Sequence, residues 1–82
     1  MRIELKAVCQ ETLGELPGGS YEVPEQCSAL AALEHCLSCH GKEIERERLS
    51  GLLFMRNGRH VPSDTCLTEG DRLTVLRPMY GG

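Results

Sequence analysis

A chain of 82 residues with a net charge of −3, one Phe, two Tyr and no Trp is a small, mildly acidic domain. It has room for one core, and it lacks both the basic surplus and the stacking side chains that nucleic-acid binding needs. No apolar run approaches the ~18 residues required to span a bilayer, so neither nucleic acid nor a membrane is an expected partner.

The first element expected is a strand from Arg2 to Cys9. Ile3, Leu5 and Ala7 alternate with Arg2, Glu4 and Lys6, which is the two-residue period of a half-buried strand. The same alternation leaves no continuous apolar stretch of the kind an export signal carries. With an odd count of five cysteines, the thiols are expected to be reduced and the protein cytoplasmic. Gln10 to Gly19 is polar and rich in glycine, and reads as a loop. Ser20 to Val23 reads as a second strand hairpinned to the first, broken by Pro24-Glu25.

From about Cys27 to Cys39 the period lengthens. Leu30, Leu33 and Leu37 fall three and four residues apart, flanked by Ala29 and Cys36, so one helical face is apolar. Ser28 is suited to cap the start of this helix, and Gly41 to end it in the left-handed conformation. Lys42 to Ser50 is highly charged and reads as a short solvated helix or a loop. Leu52 to Arg56 is the next strand, and Asn57-Gly58 after it is a strong hairpin signal. Arg59 to Val61 returns, turns follow at Ser63–Thr65 and Glu69–Asp71, and Arg72 to Leu76 is the last strand. The order β-β-α-β-β-β predicts an α+β fold: a mixed sheet of four to five strands packed on one main helix. The first and last strands are expected side by side and parallel in its centre.

Two motifs carry chemistry. His35-Cys36-Leu37-Ser38-Cys39-His40 contains Cys-x-x-Cys-His, the spacing of covalent haem attachment. Cys36, Cys39 and His40, with His60 or Cys66 as a fourth ligand, also suit a metal. The competing reading places Cys36 in the core as a small hydrophobe and Cys39 and His40 in the last helical turn, with no metal. The second motif is Gly81-Gly82, which follows the last strand through Arg77-Pro78-Met79-Tyr80. Two residues without Cβ atoms make a thin tip that can thread a narrow tunnel and offer a carboxylate to a partner's active site.

Asn57-Gly58, Asp64-Thr65-Cys66-Leu67, Gly70-Asp71-Arg72-Leu73-Thr74-Val75-Leu76, Pro78 and Gly81-Gly82 together resemble the MoaD/ThiS sulfur-carrier family. The resemblance implies the ubiquitin-like β-grasp fold, with residues 1–76 as the domain and 77–82 as a flexible diglycine tail. It implies a protein that is not an enzyme by itself and binds no cofactor. A ubiquitin-activating-type adenylyltransferase, using ATP and Mg²⁺, would activate the Gly82 carboxylate, with Gly81 beside it. The resulting thiocarboxylate would donate sulfur to a synthase of the molybdopterin or thiazole type. Leu76, Arg77, Pro78, Met79, Tyr80 and Met55 are the expected partner-binding residues, with Leu53 or Phe54 extending an apolar patch. Arg56, Arg59, Arg72 and Arg77 are candidates to pair with acidic groups on the activating enzyme. The alternatives are a ubiquitin-like modifier joined through Gly82 to a protein lysine, and a small metal- or haem-binding domain using Cys36, Cys39 and His40.

Overall fold

A computed structural model describes residues 1–8 and 13–78. Five strands form one sheet: β1 (Arg2–Val8), β2 (Gly19–Glu22), β3 (Leu53–Arg56), β4 (Arg59–Val61) and β5 (Arg72–Leu76). Their order is β2-β1-β5-β3-β4, and β1 and β5 run parallel in the middle while every other neighbouring pair is antiparallel. Helix α1 (Ala29–Cys39) supplies Leu30, Leu33, Cys36 and Leu37 to the same core as Ile3, Leu5, Phe54, Leu73 and Val75 from the sheet. The helix therefore covers one sheet face, and alternation sends the other residues of each strand to the opposite, outer face.

The ends of α1 follow from local chemistry. Ser28 Oγ accepts the amide hydrogen of Ala31, and the amides of Ala29 and Leu30 donate to the carbonyls of Thr65 and Ser63. The start of the helix is thus shifted two residues past Cys27, because Ser28 is drawn into an antiparallel bridge with Cys66. At the other end Gly41 has φ of 68°, the Lys42 amide donates to Leu37 O and the Gly41 amide donates to Ser38 O. That is the paired arrangement in which a left-handed glycine satisfies the last free carbonyls. The Asn57-Gly58 turn between β3 and β4 has positive φ at both positions, 52° and 85°, the twist that a two-residue hairpin requires.

Two polar-looking stretches contribute more than expected. The Lys42–Ser50 segment folds its second half into a short helix, α2 (Arg46–Ser50), and drives Leu49 fully into the core. Leu13 and Leu16, in the segment read as a polar loop, are also buried. Tyr21 braces that segment: its hydroxyl donates to Pro17 O at 2.5 Å and lies 2.9 Å from His40 Nε2. Because the single phenolic hydrogen goes to the carbonyl, His40 is the donor to Tyr21. Arg46 holds α2 against α1 through a bidentate pair with Glu34, the shorter contact being 2.6 Å.

Leu49 is the only apolar anchor of α2, so its truncation tests whether this helix belongs to the core. Leu49→Ala is expected to destabilise the protein by about 2–5 kcal/mol, the range for a buried leucine cavity. Urea denaturation followed by circular dichroism measures it, and a change below about 0.5 kcal/mol, typical of surface substitutions, would show α2 to be a solvated appendage.

Candidate functional site: the outer sheet face and the strand leading to the diglycine tail

Gly81, Gly82, Met79 and Tyr80 lie outside the described residues. What the structure defines is the platform that precedes them. β5 ends at Leu76, and Arg77 and Pro78 follow with Arg77 exposed and Pro78 half-buried.

Asp71 fixes where β5 begins. It is 5% exposed and the one buried charged side chain among the described residues. Its Oδ2 accepts from the Thr68 amide at 2.7 Å, from Arg56 Nε at 2.8 Å and from the Thr68 hydroxyl at 3.2 Å; Oδ1 accepts from Asn57 Nδ2 at 3.1 Å. Asn57 Oδ1 in turn accepts the Arg72 amide at 2.9 Å, and the Asn57 amide donates to Arg72 O. One carboxylate therefore ties the β3–β4 hairpin to the turn that launches β5. Burial pushes the Asp71 carboxyl up. The Thr68 amide, the Asn57 amide group and the Arg56 guanidinium outweigh it, and the group is held below the usual carboxylate range. On the other side of β5 the Glu4 amide donates to Asp71 O, while Glu69 accepts the Arg2 amide through both carboxylate oxygens at 3.1 and 3.2 Å.

The register sorts the outer face into rows. Val8 pairs with Leu76, and Leu76 with Leu53, giving an apolar row at the end of the sheet where the chain departs. The next row is Lys6, Thr74, Met55 and His60, and beyond it Glu4 stands beside Arg72. Leu76, Leu53 and Met55 are half-buried, and Val8 is 53% exposed, the most accessible large aliphatic residue described. Of the alternatives Leu53 and Phe54, Leu53 faces outward and Phe54 is buried. Val8, Lys6 and His60 were not among the residues expected on this surface. The signal for Val8 was present: it is the only apolar residue on the otherwise charged face of β1. A depression of about 660 Å³ lies on this face around Lys6, Thr74 and Arg72. A second hollow of about 530 Å³ lies beside α1, between Leu37, Ile44 and Leu49 with Glu34, Glu43 and Glu45 at its rim.

The four arginines do not act as one group. Arg56 is committed to Asp71. Arg59 pairs with Arg56 in the hairpin register, on the side opposite Met55 and His60. Of these four, Arg72 is the strand residue that belongs to the outer face, and Arg77 lies just past the end of β5.

The cysteine motif is dispersed. Cys36 is fully buried in the core, and burial first, then the neighbouring Cys39 and Cys27 thiols, push its thiol up to about 12. Cys39 is exposed, His40 is engaged with Tyr21, His60 lies on the outer sheet face and Cys66 sits exposed beside the start of α1. Among the described residues no three His, Cys, Asp or Glu side chains are grouped to hold a metal ion. Cys36, Cys39 and His40 are thus not brought together as a ligand group among the described residues: Cys36 packs in the core, Cys39 is exposed and His40 meets Tyr21.

A five-stranded mixed sheet with a parallel central pair, packed on one helix, is the ubiquitin-like β-grasp architecture. Residues 5–82 match the ThiS family, and the chain belongs to that family of β-grasp sulfur carriers. Among solved structures it is similar to SAMP1 from Haloferax volcanii, with 19% identity, a TM-score of 0.68 and all of both chains covered. It is also similar to a putative molybdopterin converting factor subunit 1 from Pyrococcus furiosus, at 19% identity and a TM-score of 0.64, covering 96% of this chain and 99% of that one. The complex of subunits 1 and 2 of the molybdopterin-converting factor from Helicobacter pylori gives 22% identity and a TM-score of 0.54 over all of both chains. A search of curated proteins gives no match. No helix among the described residues is long and apolar enough to cross a membrane.

The Asp71 network makes acid sensitivity testable. A carboxyl depressed in the folded state stabilises above its unfolded value near ~3.9 and loses that contribution as the pH falls through the folded value. Asp71→Asn is expected to cost about 2–3 kcal/mol at neutral pH, with the gap from wild type narrowing once the pH falls below the ordinary carboxylate range and through the depressed folded-state value. Urea titrations at neutral and acidic pH measure it; a gap independent of pH would show that the charge of Asp71 contributes nothing.

Proposed function

We propose that this protein is a sulfur carrier whose reacting group is the Gly82 carboxylate. The observation that carries the reading is that the ThiS-family match runs through residue 82, and so includes Gly81-Gly82. The outer face of the sheet leads toward that tail through Leu76 and Pro78. We take residues 1–76 as the folded domain and 77–82 as the tail, and place the protein in the cytoplasm with reduced thiols.

A terminal carboxylate is an anion at neutral pH and a poor electrophile. An adenylyltransferase of the ubiquitin-activating type would supply ATP and Mg²⁺. A Gly82 carboxylate oxygen attacks the α-phosphorus, pyrophosphate leaves, and the acyl-adenylate forms. The terminal sulfur of a persulfide donor then attacks the acyl carbon and displaces AMP, and a thiol reductant cleaves the S–S bond of the resulting acyl disulfide, itself becoming a disulfide and leaving a thiocarboxylate on Gly82. The carrier contributes the nucleophilic oxygen and the narrow approach that two glycines permit, while the partner supplies the charge stabilisation. The apolar row Val8–Leu76–Leu53 with Met55, next to the exit of the tail, is the docking surface of this reading, and Pro78, Arg77, Met79 and Tyr80 enter the partner's channel. The H. pylori structure pairs subunit 1 with subunit 2 of a molybdopterin-converting factor. By that likeness the sulfur acceptor is a molybdopterin-synthase-type large subunit, with a thiazole synthase as the other candidate.

A second reading is favoured by the likeness to H. volcanii small archaeal modifier protein 1: conjugation of Gly82 to a protein lysine. Mass spectrometry separates the two. Replacement of one C-terminal oxygen by sulfur supports the carrier, whereas Gly-Gly remnants on lysines of other proteins support the modifier.

Gly82→Ala places a methyl group beside the reacting carbonyl without touching the core. Its adenylation rate, followed by pyrophosphate release with the source organism's adenylyltransferase, is expected to fall at least about 100-fold, the scale at which a misplaced reacting group costs catalysis. Its urea midpoint should be unchanged. Adenylation at the wild-type rate would sink the threading argument.

A further inference from the structure

We infer that Lys6 and Arg72 form a carboxylate-binding subsite on the outer sheet face, and that the partner which handles Gly82 seats an acidic side chain there. The inference rests on the sulfur-carrier reading and names the chemistry of the partner surface.

The protein carries a net charge of −3, yet these two cations are left unpaired on this face. Lys6 and Arg72 are diagonal neighbours across the parallel β1–β5 pair, separated by the Thr74 position, and both side chains are exposed. Neither joins any of the ion pairs among the described residues. The register sets Glu4 directly beside Arg72, where a neutralising pair would be expected. Glu4 instead accepts a hydrogen bond from the Ser20 hydroxyl of β2 at 3.1 Å. The other cation on this face of β1, Arg2, is already matched by Glu22 at 3.3 Å. Internal neutralisation is thus complete at the β2 edge and stops at β1 and β5.

The unpaired cations also share a place. The depression of about 660 Å³ is bordered by Glu4, Lys6, Asn57, Gly58, Arg72 and Thr74. Asn57 commits one Nδ2 hydrogen to Asp71 and its Oδ1 to the Arg72 amide, so the charged donors at the depression are the Lys6 ammonium and the Arg72 guanidinium, with the Thr74 hydroxyl on the same face. A guanidinium fork with an ammonium beside it matches a single carboxylate held by two or more hydrogen bonds. Two cations on an acidic chain are too few for a nucleic-acid track, which requires an extended row. The subsite adjoins the Lys6–Thr74–Met55–His60 row and, through it, the apolar row beside the tail. A partner docked on the apolar row therefore reaches it without reorientation. Charged rims of this kind steer encounter and fix register, while the apolar centre supplies residence time.

The test measures binding of the full chain to its own organism's purified adenylyltransferase, by surface plasmon resonance at several salt concentrations. The variants are Lys6→Glu/Arg72→Glu and the milder Lys6→Gln/Arg72→Gln, each checked for wild-type circular dichroism and thermal midpoint. Charge reversal is expected to raise Kd by more than about threefold, chiefly by slowing association, and to weaken its salt dependence; neutralisation shifts both the same way by less. A smaller rise in Kd, or an unaltered salt dependence, overturns the subsite while leaving the carrier reading intact. If the wild-type chain neither binds nor is adenylated, the carrier reading fails and the subsite with it.

Discussion

The protein depends on one buried carboxylate. Asp71 gathers an arginine from β3, an asparagine from the hairpin and both donors of Thr68, and its own carbonyl takes the Glu4 amide of β1. A buried charge is costly unless every lone pair is satisfied. Here four donors share the two oxygens, and each comes from a segment that β5 must align with. The group so compensated is a registration device. Sliding β5 by one residue would break these bonds and turn Leu73 and Val75 outward.

That registration gives the outer face its order. Once Leu73 and Val75 are inside, Arg72, Thr74 and Leu76 must be outside, and the pairing of β1 and β3 with β5 completes each row. Apolar side chains collect at the end where the chain leaves the sheet, and cations collect at the other. Apolar and charged side chains are thereby separated along one strand.

The fold was largely legible because its signals are local. The β1 alternation, the Leu30–Leu33–Leu37 stripe, Ser28, Gly41 and Asn57-Gly58 each dictate a conformation within a few residues, and each element formed where those residues stand. What was not legible depends on distant chain. Leu49 is surrounded in sequence by charges and no helical period marks it; only the hollow beneath α1 draws it in. Leu13 and Leu16 are likewise isolated apolar residues in a glycine-rich stretch. The split of the arginines escaped for the same reason, since Arg56 belongs to Asp71 only after the chain has closed a sequence separation of 15 residues. The Cys36–Cys39–His40 motif shows the converse. Its spacing is chemically suggestive, but a helical stripe claims Cys36 for the core, and its three side chains end in different surroundings. On the outer face Leu76 and Met55 lie where strand alternation puts them, and Val8 joins them because the parallel register sets it beside Leu76.

The central position of β5 has a consequence for the way the protein is made. It fills the space between β1 and β3, strands that have already emerged during synthesis and that each pair with β5 and never with each other. Up to that point two interior strands expose unpaired backbone and an apolar face, the condition that invites aggregation and quality control. The sheet closes through contacts between residues far apart in sequence, a topology that folds late and all together. A chain cut short before β5 would therefore be cleared as misfolded, and would not persist as a folded decoy lacking its tail. Completion of the fold thus waits for the arrival of its last strand.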